Sequence, residues 1–305
     1  MGSLRTHWHD DHIRGLSTIV DASPQAEFAC SSALHSKEFF ALVESAESRL
    51  LQAGSGADEF HALVQIAQRR RRPGMRNQAA FPTHWAGSNM RLLSTTGGVR
   101  AFPAEVWSLS PSAGTRSLAT IDFVNALEPG PRRRLVSSSN ELSVVLWVQV
   151  AETALLLGAD LEDRGRPGEG WTAVVASGAP FPTQAKLFKV PHHGSPNADL
   201  PAVWSNLLAE RPVAALTPFL AGPQGRPSEE DLQRLCARTP ETYCTARRRA
   251  RNPHRRDQLV QNAMNSVVRN RRVISGQSGH IRIRYTPTVP EPTVELRRGA
   301  FRACA

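Results

Sequence analysis

Residues Thr6-His7-Trp8-His9-Asp10-Asp11-His12-Ile13-Arg14-Gly15 constrain this chain more than any other stretch. They set three imidazoles and two carboxylates within six consecutive positions. His7 and His9 stand two apart, so in an extended or turn conformation both rings project to one side. Asp11 and His12 follow after a bend and reach around to a second point. Imidazole and carboxylate donors at two neighbouring points can hold two metal ions side by side, and zinc or manganese suits such ligands. The bland alternative is a histidine-rich surface loop. Three of the chain's 10 histidines falling in this one short stretch argue against it.

The rest of the chain has room for a fold around that site. With 305 residues, 40% hydrophobic and 21% charged, it has the composition of a globular protein of one large domain or two small ones. No apolar run approaches the roughly 20 residues of a membrane span. Residues 1–5 make no secretory leader, because the metal motif begins at once, and the expected compartment is the cytoplasm. Cys30, Cys236, Cys244 and Cys304 form no C-x-x-C pair and read as ordinary thiols, not as a disulfide framework or zinc knuckle. The net charge of +10 favours a polyanionic partner. Only Lys37, Lys186 and Lys189 are lysines, however, and such an arginine skew also follows from a GC-rich genome.

In chain order, 16–20 starts a short helix or turn leading to a strand at 26–30. Ser31-Ser32-Ala33 cap a helix to about Gln52, and Gly54-Ser55-Gly56 separate it from a second helix, Ala57 to about Gln68. Arg69-Arg70-Arg71-Arg72-Pro73-Gly74 ends that helix, either as a solvated cationic terminus or as a phosphate-binding patch. His84-Trp85 reads as structural, with His84 a fallback ligand. A strand at 105–110, a helix at 115–127 and a basic loop at 129–139 follow. Two apolar runs, 142–150 and 153–157, form a buried hairpin. It ends in Gly158-Ala159-Asp160, where a side chain can point into a cleft. A strand at 186–190 runs into Pro191-His192-His193-Gly194-Ser195-Pro196. Adjacent histidines point in different directions, so one binds metal while the other orients a ligand or contacts substrate.

The 7–12 motif matches the H-x-H-x-D-H signature and, with the later motifs in this order, resembles the metallo-β-lactamase-fold hydrolases. The run Leu187-Phe188-Lys189-Val190-Pro191-His192-His193-Gly194-Ser195 looks like the K-V-x-H-H-G-S motif of one branch. That branch is the soluble hydrolase domain of ComEC-type competence DNA-uptake proteins. Asn140-Glu141-Leu142-Ser143-Val144-Val145-Leu146 and Leu156-Leu157-Gly158-Ala159-Asp160 resemble its N-x-x-S-L-V-L and L-L-x-G-D elements. Gly225-Arg226-Pro227-Ser228, a helix to Leu235 and Tyr243-Cys244-Thr245 resemble its H-P-S, helix and final strand. The resemblance implies an α+β fold, a four-layer αββα sandwich, here missing its first strands because only six residues precede His7. An edge so exposed is an aggregation hazard, or a protein partner covers it. Residues 1–245 would form the hydrolase domain, and 246–305 a basic loop, closing strands (281–285 and 293–296) and a tail.

The resemblance further implies the site. Two divalent ions, Zn or Mn, would be held by His7, His9 and Asp160 on one side and by Asp11, His12, Asp160 and His192 or His193 on the other. Asp160 bridges them, Asp11 also aligns the attacking hydroxide, and His193 stands beside His192 as the second catalytic candidate. Asn140 stands where many members carry a histidine, so the first ion loses a ligand. A hydroxide between the ions forms near neutral pH and attacks phosphorus or carbonyl carbon. The first expectation is a metal-dependent phosphodiesterase, a nuclease acting on single-stranded DNA or RNA. The alternatives are a metallohydrolase of small esters, lactones or thioesters, and a catalytically impaired nucleic-acid-binding protein. Arginines at 247–256 and 269–272 either contact a phosphate backbone or form a solvated insertion.

Overall fold

The computed structural model describes residues 15–24, 28–44, 56–70, 84–97, 102–127, 139–219, 225–247, 258–267, 279–286 and 289–304. The histidine-aspartate motif at 7–12 and the arginine runs at 248–256 and 269–272 lie outside them. The helices are α1 (Leu16–Ala22), α2 (Lys37–Glu44), α3 (Gly56–Arg70), α4 (Ala113–Leu127), α5 (Gly170–Ser177), α6 (Pro201–Asn206), α7 (Glu229–Arg238) and α8 (Gln258–Val267). Among the described residues no helix is long and apolar enough to cross a membrane. The strands are β1 (Ala29–Ser31), β2 (His84–Ala86), β3 (Met90–Thr95), β4 (Ala104–Ser108), β5 (Leu146–Val150) and β6 (Thr153–Leu157). They continue as β7 (Ala185–Lys189), β8 (Leu208–Leu216), β9 (Thr242–Cys244), β10 (His280–Thr286), β11 (Val289–Arg297) and β12 (Phe301–Arg302). The fold is α+β with a mixed eight-stranded sheet in the order β12-β9-β8-β7-β6-β5-β4-β3. Two compact units, Met1–Pro212 and Val213–Ala305, divide within β8.

In the first unit, strand alternation sets a row of large apolar side chains across four strands. Trp107, Trp147, Leu156 and Phe188 stand at matching register positions. Trp147 and Leu156 are fully buried. The Phe188 ring meets Trp171 of α5 and Trp204 of α6 edge-on, at 6.1 and 5.2 Å between centroids. Edge-to-face contacts of this kind add to the burial that holds helices on a sheet face. The β5–β6 hairpin closes through Ala151-Glu152, with Ala151 at φ 46°. Two-residue hairpins require such positive φ to match the strand twist.

Three expected elements are corrected here. The strand before the hairpin turn begins at Leu146, because Ser139–Leu142 forms a 3-10 turn and the Ser110 hydroxyl takes up the amide of Val145 at 2.8 Å. The helix after Ser31 is interrupted: a 3-10 turn covers Ser32–Leu34, and α2 starts afresh with Ser36 Oγ accepting the Phe39 amide at 3.1 Å. At the end of α3 the solvated reading holds for the exposed Arg69 but not for Arg70. Arg69 pairs with Asp21, and the buried Arg70 donates to the carbonyls of Val20 and Ser23 at the end of α1. The other end of α1 rests on Glu59, which accepts the amides of Gly15 (2.7 Å) and Ser17 (3.0 Å). A carboxylate there satisfies orphan amides and complements the helix dipole.

In the second unit, Ser228 caps α7 in a reciprocal box with Asp231, whose carboxylate also accepts from Arg226 (2.7 Å) and Arg234 (2.8 Å). Strand β12 pairs antiparallel with β9, and Arg302 reaches Glu241 at 2.6 Å. Cys236 and Cys304 are joined in a disulfide, which corrects the expectation of ordinary thiols. The partners lie 68 residues apart, so no local spacing announces the pair. β10 and β11 make a separate two-stranded ribbon with Ile281 opposite Leu296 and Ile283 opposite Val294. β11 runs longer than the expected 293–296 despite its prolines, because each ribbon strand has an outer side on which no ladder bond is lost.

Candidate metal centre

Strand direction gathers the later motifs at one place. β6 and β7 are parallel, with Leu157 opposite Lys189, so both deliver their carboxyl ends to the same sheet edge. β5 runs antiparallel to β6, with Leu146 opposite Leu157, so the residues before β5 arrive there too. Asn140, Asp160 and the His192-His193 pair thus share one edge, at the carboxyl ends of parallel strands where open sheets usually place their ligands.

The loops carrying Asp160 and the His192-His193 pair are stitched together by backbone. The Gly158 amide donates to the Lys189 carbonyl at 3.0 Å, and the His192 amide to the Ala159 carbonyl at 3.1 Å. Ala159, His192 and His193 all hold left-handed backbone, at φ 46°, 43° and 54°. Non-glycine residues in that region cost on the order of 1–3 kcal/mol each and cluster where function over-determines the backbone. The Trp171 indole fixes the same stretch from outside by donating to the Leu161 carbonyl at 2.8 Å.

The polar side chains at this edge are buried, with Asp160, Asn140 and Glu162 only 5%, 6% and 9% exposed. Asn140 Nδ2 lies 2.6 Å from Glu162 Oε1 and 3.3 Å from His192 Nε2. His192 Nδ1 lies 3.2 Å from Glu162 Oε1 and 3.3 Å from Asn197 Oδ1. Next to Asn140, the buried Glu141 pairs with Arg164 at 2.6 Å, holding the 3-10 turn against the loop after β6. Asp163 ties that loop down further by accepting the Gly165 amide at 2.7 Å and the Thr172 amide.

His7, His9, Asp11 and His12 lie outside the described residues. Among the described residues no three His, Cys, Asp or Glu side chains converge as a ligand set by themselves. What this edge offers is a buried carboxylate and paired imidazoles, donor types that zinc and manganese take. His84 sits on β2, in the separate two-stranded sheet with β1, where its neighbour Trp85 stacks on His35 at 4.4 Å. Sequence reasoning passed over Glu162 and Asn197. Glu162 follows Asp160 by two positions, and a second carboxylate so close to a candidate ligand is the signal that could have found it.

Compared with protein-family models, with curated proteins and with solved structures, the chain matches none.

Proposed function

We propose that this protein is a metal-dependent hydrolase of the metallo-β-lactamase type, with a four-layer αββα arrangement, cleaving phosphodiester bonds of single-stranded nucleic acid. One observation carries the reading. Asp160 and His192-His193 end two adjacent parallel strands in backbone-linked, left-handed loops, downstream of a histidine-aspartate motif in the order such hydrolases use. In this reading His7, His9 and Asp160 hold one divalent ion, and Asp11, His12, Asp160 and His192 the other. Zinc or manganese there would supply an activated water near neutral pH and neutralise charge developing on the attacked group. The Asp11 carboxylate aligns the attacking oxygen, and His193 faces the substrate. The net charge of +10 supports a polyanionic substrate over a neutral ester.

End-labelled single-stranded DNA incubated with Mn²⁺ or Zn²⁺ tests this, beside an Asp160→Ala protein shown to be folded. Cleavage that needs the metal and disappears in the variant is the expected result. A folded, metal-loaded protein that leaves DNA intact but hydrolyses a lactone or thioester would overturn the nuclease assignment. Tight DNA binding that survives Asp160→Ala without turnover would overturn the enzyme altogether.

A further inference from the structure

Helix α8 (Gln258–Val267) has its residue types sorted around its axis. At about 100° per residue, the apolar positions 259, 260, 263, 264 and 267 fall within one arc of about 140°. Glutamine, asparagine and serine fill the other side, at 258, 261, 262, 265 and 266, and no residue of the helix is charged. The charge stands at its two ends in the sequence. Residues 247–272 hold nine arginines and a single acid, Asp257, and so carry +8 where the whole chain carries +10.

An apolar arc on a helix ordinarily lies against a core. On α8 its described members face solvent. Leu259 is 78% exposed, more than any other large apolar residue described, and Val260 is 50% exposed. Ala263 on the same arc is exposed too, as are Gln258 and Asn262 on the opposite one.

We propose that α8 is a surface anchor for an anionic lipid bilayer. Its apolar arc enters the boundary between headgroups and acyl chains, and the arginines flanking it in the sequence are drawn to the lipid phosphates. Partners of other kinds fit less well. A nucleic acid takes up arginine but has no apolar phase for Leu259 and Val260 to enter. A protein groove takes up an apolar arc but has no need of so large a flanking charge. The 10 residues of α8 extend about 15 Å, half the hydrocarbon thickness of about 30 Å, so the helix lies along a membrane and does not cross it. Such binding uses no residue of the candidate metal centre, and it stands or falls apart from the hydrolase reading.

Sedimentation of the full chain with phosphatidylcholine vesicles, made with and without phosphatidylglycerol, tests the anchor. The protein should sediment with the mixed vesicles and bind pure phosphatidylcholine about 100-fold more weakly, since each cation near an anionic surface contributes about fivefold. Leu259→Gln combined with Val260→Gln should weaken binding to the mixed vesicles about 10-fold or more. Leu259→Phe, which stays apolar, should keep it. Both variants should melt with the wild type, because exposed side chains change stability little. Labelled single-stranded DNA should not distinguish the double variant from the wild type. A wild type that stays in the supernatant, or binds both vesicle types equally, overturns the anchor. So does a double variant that sediments like the wild type, because charge alone would then account for the binding. A double variant that melts well below the wild type shows the arc packed within this chain, and one that loses DNA as it loses lipid assigns α8 to nucleic acid. Either result refutes the lipid surface as its partner.

Discussion

Gly158 lies so close to Lys189 that a β-carbon on the glycine would stand 2.9 Å from the lysine carbonyl oxygen and 3.0 Å from two carbons of Pro191. The two loops of the candidate centre meet through this approach, and only a residue without a side chain permits it. Gly158→Ala should destabilise the protein by about 1–3 kcal/mol. It should also cut metal-dependent cleavage about 100-fold, because displacements near 1 Å matter that much to reacting groups. Thermal melts and cleavage rates on one preparation test both, and a variant with unchanged melting and rate refutes the close-contact argument.

The Cys236–Cys304 bridge should contribute about 2–4 kcal/mol, chiefly by restricting the unfolded chain. Melting should fall by several degrees on adding dithiothreitol, and Cys304→Ser should melt at that lower temperature with or without it. Thiol counting gives an independent check. Of four cysteines, Cys30 and Cys244 stand outside the disulfide. Burial pushes the Cys30 thiol up to about 12, so it should resist alkylation in the native protein near pH 8. Two thiols per chain should appear on unfolding without reductant and four with it; four without reductant would mean that the bridge does not form.

Asp231 offers a pH test. Burial pushes its carboxyl up, but Arg234, the Ser228 amide, Arg226 and the Ser228 hydroxyl outweigh that and hold it below the ordinary carboxylate value. A depressed folded pKa gives stability that is complete above the unfolded value, about 3.9, and is lost as pH falls through the folded one. Asp231→Asn should cost about 1–3 kcal/mol near neutrality. The gap from wild type should narrow below about pH 4. A gap that stays constant to pH 3 would show that the charge contributes nothing.

Arg70 is 7% exposed and closes α1 from the end of α3. Arg70→Met keeps most of the buried stem and removes the donors, so a loss of about 1–2 kcal/mol is expected from the abandoned carbonyls. Hydrogen exchange should rise first in 16–22. Protection unchanged there would make Arg70 a packing residue only.

The parts of this fold legible in the sequence are those whose partners are near in the chain. The hairpin around Ala151-Glu152, the strand before His192 and the helix ending at Leu127 each carry their own alternation or spacing. So does the double histidine, as a motif. What the sequence hides depends on distant partners. The Ser110 hydroxyl, 35 residues away, takes the amide of Val145 and moves the start of β5. Arg70 reaches back 50 residues to Val20, which buries one member of an apparent charge run as a cap. Glu162 gains its place only because Asn140 and His192 arrive at its carboxylate from two other turns, before β5 and after β7.

The left-handed backbone at Ala159, His192 and His193 has a kinetic side. These loops hold their uncommon shape through the Gly158–Lys189 and His192–Ala159 backbone bonds. A partner binding at this edge therefore meets loop backbone that is already hydrogen-bonded. Little chain entropy remains to be lost on binding, and association should run in a single phase set by encounter, with no slower step of loop ordering behind it.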